Sequence, residues 1–311
     1  MRALRTSGFI AIGLCLIYVV IAHGAPAHDG YWALSKADEA GKVYFTLSEH
    51  HGTRSMDSSS NWPTSAFQNV DFSKSGRQDV RFAITRDAGT LQCEGFLDNG
   101  EGAGVFHFQP NAAYPAQMKA LGFPVEQDDQ FAMTVHDVSL DFARRLKAEN
   151  LTGLDTDKLM AFRIHGVDPQ FIEDMRTAGV NASDSDELVS FRIHGVTPEM
   201  VKQVRQMGYT PDGDNLIAMR IHGATPESIA ELKKRGYDHV DLDQLIAFRI
   251  HGVSPEFIDQ LKSLGYAHPD DDELVSMRIH GVTPEYISDL RSRGMQNLSI
   301  EQLISMRIHG L

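Results

Sequence analysis

The chain has 311 residues, 23% of them charged, and carries a formal net charge of −13 at pH 7. Non-specific nucleic-acid binding depends on neutralising phosphates with basic side chains, so this acidic balance excludes it as a main role. Two cysteines are present, and Cys15 belongs to a segment predicted to be removed. Cys93 then has no partner for an internal disulfide, and its place in a strand-like run predicts a buried, unreactive thiol.

Residues 1–27 are predicted to be a secretory signal peptide. Arg2 and Arg5 precede an apolar run at 9–22, and Ala-Pro-Ala at 25–27 offers a cleavage site. The run is shorter than the roughly 20 residues that span a bilayer. We therefore expect an exported chain, periplasmic or extracellular. The alternative is an uncleaved N-terminal anchor in the inner membrane, and membrane association is expected only in that case.

Residues 28–109 are predicted to form a small antiparallel β domain. Four runs of alternating or β-rich composition lie at 42–47, 80–85, 90–97 and 103–109. Asp98-Asn99-Gly100 is a strong hairpin-turn signal between the last two. The polar segment 48–60, rich in Ser and His, is interpreted as a loop.

The tetrapeptide Arg-Ile-His-Gly occurs six times in the C-terminal half, with successive copies 29, 28, 29, 29 and 29 residues apart. A fixed period of this length is typical of a stacked repeat array. We expect an N-terminal helical cap at 110–134 and an α-solenoid of repeats of about 29 residues at 135–311. Val135-His136-Asp137-Val138 matches the motif loosely and marks the degenerate start.

One repeat, residues 241–266, shows how the unit folds. Asp241 is a suitable N-cap, and Gly252 stands where the first helix would end in a left-handed conformation. Ser254-Pro255-Glu256 then starts a second helix, which ends at Gly265. The apolar stripe of the first helix is assigned to Leu242, Leu245, Ile246, Phe248 and Ile250.

Each repeat is therefore expected to be a helix-turn-helix unit. Such short helices are marginal alone, below about 12–15 residues, so they must stack on neighbouring repeats. The predicted fold class is α+β, with a small antiparallel β domain followed by an α-solenoid of helix-turn-helix repeats.

The arginines and histidines of the motif form two ladders, which are the candidate site residues. Each histidine is interpreted as capping the carbonyl end of its own helix, with metal binding or pH sensing as the alternative. Equivalent residues of stacked helices lie on the order of 10 Å apart, too far to share one ion, so no metal and no cofactor are expected. Each arginine is interpreted as an inter-repeat salt bridge to the acidic helix starts, or as a ligand-facing basic stripe. The residues are Arg163, His165, Arg192, His194, Arg220, His222, Arg249, His251, Arg278, His280, Arg307 and His309.

The turn at 250–255 is similar to the turn of helix-hairpin-helix DNA modules, whose backbone amides face phosphate. From Val135 onward, however, the chain has 28 acidic and 19 basic residues. With this charge and an export signal, no nucleic-acid partner is expected. The zinc-protease, nucleophile-elbow and phosphate-loop signatures are also missing from the sequence, so no enzymatic reaction is predicted.

The repeat Leu274-Val275-Ser276-Met277-Arg278-Ile279-His280-Gly281-Val282-Thr283-Pro284-Glu285 resembles repeats found in many uncharacterised bacterial exported proteins. Similar repeats follow the membrane domain in some beta-lactam-sensor-type zinc peptidases. The segment 80–110 is similar to the β region that precedes such repeats. The resemblance covers about 78–311 and implies no reaction and no ligand. Neither the membrane domain nor the zinc motif of the peptidases is present, so peptidase activity is not implied.

The sequence thus predicts a non-enzymatic exported binding or scaffold module. This module presents a helical-repeat surface to a protein or an envelope polymer. A sensory role is a variant of this hypothesis. One alternative is an enzyme with a site at the junction of β domain and solenoid, using the segment 48–60. The other is a purely structural envelope protein.

Overall fold

The computed structural model describes residues 29–51, 54–126 and 128–310, and the predicted signal segment lies outside them. The chain divides into two compact units. The first contains the residues up to Ile84 together with Leu91–Gln109. The second contains Thr85–Thr90 and the residues from Pro110 onward. An antiparallel sheet followed by helical repeats confirms the predicted α+β fold class.

Six antiparallel strands form one sheet in the order β3-β2-β1-β6-β5-β4. Leu34 pairs with Phe45 across the first two strands, and Tyr31 pairs with Val105 across β1 and β6. The strands are β1 (Asp29–Lys36), β2 (Lys42–His51), β3 (Arg54–Pro63), β4 (Arg77–Arg86), β5 (Gly89–Asp98) and β6 (Glu101–Pro110).

Aromatic side chains fill the buried face of this sheet. Phe45 meets Trp62 and Phe67 edge-to-face at ring-centroid distances of 5.4 and 5.2 Å. Trp32 and Phe82 meet in the same way at 5.2 Å. Edge-to-face contacts of this kind add to the free energy gained from burying the rings. Alternation along the strands places these rings on one face and polar side chains on the other.

One sequence-based interpretation of the sheet was wrong. Within the segment 48–60, expected to be a loop, the described residues 48–51 and 54–60 belong to β2 and β3. The sequence analysis also gave no strand at the position of β1. β3 is an edge strand, and Ser59, Ser60 and Asn61 in it are exposed. An edge strand has one neighbour and needs few apolar side chains, and here Trp62 is the buried anchor. The polar composition of β3 is therefore also typical of a loop.

The second unit contains fourteen described α-helices. Among the described residues, none of these helices has the length and the apolar composition needed to cross a bilayer. The helices are α1 (Tyr114–Leu121), α2 (Asp129–Val135), α3 (Leu140–Ala148), α4 (Thr156–His165), α5 (Pro169–Ala178), α6 (Ser185–His194), α7 (Pro198–Gln206), α8 (Gly213–His222), α9 (Pro226–Lys233), α10 (Leu242–His251), α11 (Pro255–Ser263), α12 (Asp271–Ile279), α13 (Pro284–Ser292) and α14 (Ile300–Ile308).

Local sequence explains where these helices begin and end. In α10 the side chain of Asp241 accepts a hydrogen bond from the backbone N–H of Gln244, and Gly252 ends the helix at φ 75°. Ser254 caps α11 in the same way, with Pro255 in its first turn. The backbone N–H of Tyr266 bonds to the carbonyl of Leu261, which completes a Schellman-type end.

The helices are arranged as a two-layer array. The even-numbered helices from α4 to α14 are the first helices of the repeats, and each contacts the next one in the series. The odd-numbered helices from α5 to α13 are the second helices, and they form the other layer. Leu245, Phe248 and Leu261 are buried between the layers with at most 1% exposure. Stacking of neighbours buries the apolar stripes that one pair alone would leave in water.

A variant pair of helices, α2 and α3, starts the array. Asp137 takes the left-handed position, with φ 57°, that glycine holds in the later repeats. Arg86 donates hydrogen bonds to the carbonyls of Thr134 and Val135, both at 2.6 Å, and lies 3.5 Å from the carboxylate of Asp137. Burial lowers the pKa of Arg86, while the carboxylate of Asp137 opposes that shift. This arginine therefore closes the carbonyl end of α2.

Candidate functional site

The isoleucines of the Arg-Ile-His-Gly motif point into solvent, at between 51% and 55% exposure. Ile250 was assigned to the buried stripe of its helix, and that assignment was wrong. Its neighbours Leu245, Ile246 and Phe248 already fill the space between the layers. We call this row the Ile ladder: Ile164, Ile193, Ile221, Ile250, Ile279 and Ile308.

The Ile ladder belongs to a regular outer surface made by the first helices. In α10, Asp243 and Ala247 lie on the face of Ile250, at helical spacings of seven and three residues, and the buried Ile246 flanks this face. The other first helices repeat this order of an acid, an apolar residue, a small Ala or Ser, and isoleucine. The surface thus has an acidic edge, an apolar middle and an edge that carries the histidines and arginines.

The histidines of the motif do not cap their helices. Within the described part of the chain, none of the six imidazoles donates a hydrogen bond to a backbone carbonyl. Each lies half-buried or exposed beside its isoleucine, as His222 and His251 show. Described residues also include no cluster of three or more His, Cys, Asp or Glu side chains that could hold a metal ion.

Four of the six motif arginines bond to carbonyls at helix ends instead, across the boundary between repeats. The Nε of Arg278 donates a 3.2 Å hydrogen bond to the carbonyl of His251, at the end of the preceding first helix. Arg220 and Arg307 do the same at 3.0 and 3.1 Å. A cation at a carbonyl end is favoured by the helix dipole. The expected salt bridges to acidic helix starts are therefore replaced by bonds to helix ends.

Four of these arginines also lie over an aromatic ring of the preceding second helix. Arg163 forms the ladder's one carboxylate pair among the described residues, with Asp137 at 2.7 Å. In the described chain, Arg249 makes no hydrogen bond, ion pair or ring contact. The stacked pairs are Arg163 on Phe142 at 4.3 Å, Arg192 on Phe171 at 4.5 Å, Arg278 on Phe257 at 5.0 Å and Arg307 on Tyr286 at 4.7 Å.

A second row of cations, which sequence reasoning missed, caps the second helices. Lys233 donates to the carbonyl of Met207 at 2.8 Å, and Arg205 donates to that of Gly179 at 3.4 Å. Arg176 and Arg291 make the corresponding bonds to the carbonyls of Glu149 and Leu264 in the preceding repeat. A Lys or Arg recurs with the repeat period at these positions, and that recurrence was the signal to find it.

Tyrosines tie each repeat to the next one in the opposite direction. The hydroxyls of Tyr209, Tyr237 and Tyr266 donate to carbonyls in the loop that ends the next repeat, just before α10, α12 and α14, at 3.1, 2.8 and 2.8 Å. Burial raises the pKa of Tyr237 to about 12, and nearby carboxylates add to the shift. Tyr237 therefore stays protonated and remains a donor at ordinary pH.

Carboxylates crowd the other edge of the outer surface, where the first helices begin. The side chain of Asn215 donates to Asp243 in the next repeat at 2.8 Å, and Lys158 pairs with Asp186 in the same way. Glu187 is half-buried there, and burial followed by the charge of Asp184 raises the pKa of its carboxyl. The helix N-termini offset part of this repulsion.

The sheet unit has an open groove of 1020 Å³ on its exposed face. Tyr31, 64% exposed, lies in it beside Val105, and the side chains of Arg81 and Glu94 approach to 3.6 Å. His107 contacts Asp29 through its Nδ1. The thiol of Cys93 is buried, which raises its pKa to about 12. It is therefore not a nucleophile in the folded chain.

Comparisons of the chain with protein-family models, with curated proteins and with solved structures gave no match.

Proposed function

We propose that the chain is a non-enzymatic exported binding module whose helical-repeat surface binds a protein partner or an envelope polymer. The Ile ladder is the observation that carries the proposal. Exposed single hydrophobic residues are common on soluble proteins, but here every Arg-Ile-His-Gly motif exposes its isoleucine at the same position. Larger apolar patches with a polar rim are typical of interaction sites.

The structure provides no folding role for these isoleucines. The polar contacts between repeats are made by the arginines, the second cation row and the tyrosines, and the buried apolar side chains supply the packing. Half of each isoleucine side chain remains in water, where it costs solubility and contributes little to stability. Binding is the use of the ladder that accounts for its exposure.

The two edges of the surface favour a partner with its own charge pattern. The acidic edge attracts basic groups, and the opposite edge contains Arg192, Arg220 and Arg249, which are exposed. Charged rims of this kind select and orient a partner, while the apolar middle supplies most of the affinity. A polypeptide has both kinds of group, so a protein is the favoured partner.

The proposal is tested with a triple variant, Ile193→Gln, Ile221→Gln and Ile250→Gln, in the full chain. The matched control replaces three exposed second-helix residues, Glu173, Lys202 and Gln260, by alanine. Quantitative cross-linking capture from an envelope extract compares both variants with the parent chain. We expect the ladder variant alone to lose specific cross-linked partners, with its circular dichroism and thermal midpoint retained.

Equal capture by the parent chain and the ladder variant would contradict the proposal. Sedimentation velocity tests whether the Ile ladder joins two copies of the chain instead. If the parent self-associates, the ladder variant is monomeric and no other partner is captured, then the row joins two copies of the chain and the proposed function is wrong.

A further inference from the structure

One position of the second helices carries an aromatic ring in four repeats and lacks one in two. It is the third residue after the N-cap and lies opposite the arginine of the next repeat. At this position α7 has Met200 and α9 has Ser228. The repeats with a ring have Phe142, Phe171, Phe257 and Tyr286.

A groove of 230 Å³ opens beside Met200, between the start of α7 and the turn that joins α8 to α9. Met219, Ala224 and Thr225 form part of its walls. An engineered apolar cavity of about 150 Å³ is large enough to hold benzene. The groove therefore has room for one aromatic ring, beside the position where four other repeats hold a ring of their own and α7 has Met200.

Arg220 is already held where it can stack on such a ring. Its Nε donates to the carbonyl of His194 at 3.0 Å, as Arg278 does to His251 and Arg307 does to Gly281. Those two arginines lie over Phe257 and Tyr286 respectively. Within the described residues, Arg220 has the same anchoring bond and no ring beneath it. Its guanidinium is preorganised for a cation–π contact, which lowers the entropic cost of binding.

The charges around the groove indicate what accompanies the ring. Glu199 and Glu227 line it and are both exposed, whereas Arg220 is its one lining cation among the described residues. The surplus of negative charge favours a basic group next to the ring.

We propose that the groove beside Met200 binds an aromatic side chain of a protein partner, with a lysine or arginine adjacent to it in the partner's sequence. The ring stacks on Arg220 in place of the ring missing from α7, and the basic neighbour pairs with Glu199 or Glu227. This site goes beyond the proposed function and does not depend on the Ile ladder, so replacing the ladder isoleucines leaves it intact.

The test measures binding of a short probe peptide, acetyl-Lys-Trp-Lys-amide, to the full chain by ligand-observed NMR titration. The comparison peptides replace Trp with Ala or both Lys with Glu. We expect saturation transfer to the indole protons with the first peptide, none to the alanine peptide, and at least fivefold weaker binding of the acidic peptide. Absence of transfer to the indole, or equal binding of all three peptides, would overturn the proposal.

The decisive variant is Met200→Phe, which introduces the residue that α5 and α11 have at this position. It fills the groove with a ring that the array already accommodates, so the fold is retained, and we expect at least a tenfold loss of binding. Arg220→Met keeps the groove and removes the cation, and a fivefold or greater loss is expected. Tyr286→Phe is the control in a distant repeat: it keeps a ring under Arg307 and leaves binding unchanged.

A last variant is designed to gain a binding site for the probe peptide. Phe257→Met opens the equivalent groove under Arg278, so this variant is expected to bind a second equivalent of the probe. Unchanged binding by Met200→Phe would show that the probe lies elsewhere, and the proposed site would be wrong whatever the other variants do.

Discussion

The guanidinium of Arg278 lies 5.0 Å from the ring centroid of Phe257, and these two residues belong to neighbouring repeats. Its Nε also donates to the carbonyl of His251. One side chain therefore joins a second helix, the end of a first helix and the following repeat. Arg163 and Arg307 combine the same two contacts, so this polar link occurs at three boundaries between repeats among the described residues.

Removing this link is expected to destabilise the repeats around it. A cation–π contact contributes about 0.5–2 kcal/mol and a charged hydrogen bond about 1.5–3, so Arg278→Met should cost roughly 1–3 kcal/mol locally. Arg249→Met is the matched control, because Arg249 makes neither contact within the described chain, and its effect should stay within about 0.5 kcal/mol. Hydrogen exchange over residues 241–292 measures both. Equal losses would show that the contacts of Arg278 contribute nothing.

The left-handed glycines that follow the first and the second helices lead to a second prediction. Gly252 and Gly265 both have positive φ, 75° and 88°, so alanine at either site should cost about 1–2 kcal/mol of strain. A methyl group at 252 would also lie 2.9 Å from Nη2 of Arg278, whereas the space beside Gly265 is open. We therefore expect Gly252→Ala to be the more destabilising by roughly 1 kcal/mol.

A double-mutant cycle isolates that contact. In an Arg278→Met background the two glycine substitutions should cost the same, as judged by hydrogen exchange of α10 and α11. A difference that persists without the arginine would assign it to the backbone instead.

Glu187 makes stability depend on pH. Its pKa is raised by burial and by the charges of Asp184, Asp214 and Asp212. A carboxyl whose folded pKa lies above its unfolded value of about 4.3 destabilises the fold when ionised, and this effect is complete above the raised pKa. We expect Glu187→Gln to raise the thermal midpoint near pH 7 and to have no effect below about pH 4.

Glu256 supplies the control of opposite sign. Hydrogen bonds from its own backbone N–H and from Ser254 lower the pKa of its carboxyl. Its stabilising effect is present above the unfolded pKa and is lost as the pH falls through the folded one. Glu256→Gln should therefore lower the midpoint at neutral pH. If both variants shift the midpoint in the same direction, the pKa assignments are wrong.

Cys93 should resist alkylation in the folded protein. Its thiol is buried with a pKa of about 12, so little reactive thiolate exists at pH 8. We expect iodoacetamide to label it only after denaturation, as measured by the mass of the intact chain. Labelling of the native chain at the rate of a free thiol would contradict its burial.

Sequence alone predicted the array well because its period constrains every repeat at once. Asp241, Gly252 and Pro255 have local roles in caps and turns, and such roles can be seen in a single helix. The exposure of Ile250 could not be predicted in this way. Phe248 and Ile250 are both apolar and close in sequence, and only the packing of neighbouring helices decides which one is buried.

The contacts between repeats were harder to predict than the helices. Arg278 and His251 are 27 residues apart, so no local pattern shows that one caps the other. The helix dipole favours a cation at the carbonyl end of a helix. The nearby histidine was therefore assigned that role. The arginine of the next repeat takes that position because its longer side chain spans the gap between helices.

The equivalence of the six ladder isoleucines has a consequence for how a partner of the proposed kind would bind. A segment that contacts two neighbouring isoleucines finds five similar positions along the array. This multiplicity favours binding by up to roughly 1 kcal/mol over a single position with the same contacts. Moving by one repeat, about 10 Å, keeps the contacts with isoleucine. The bound state is then a set of registers, and one chain can hold several short partners side by side.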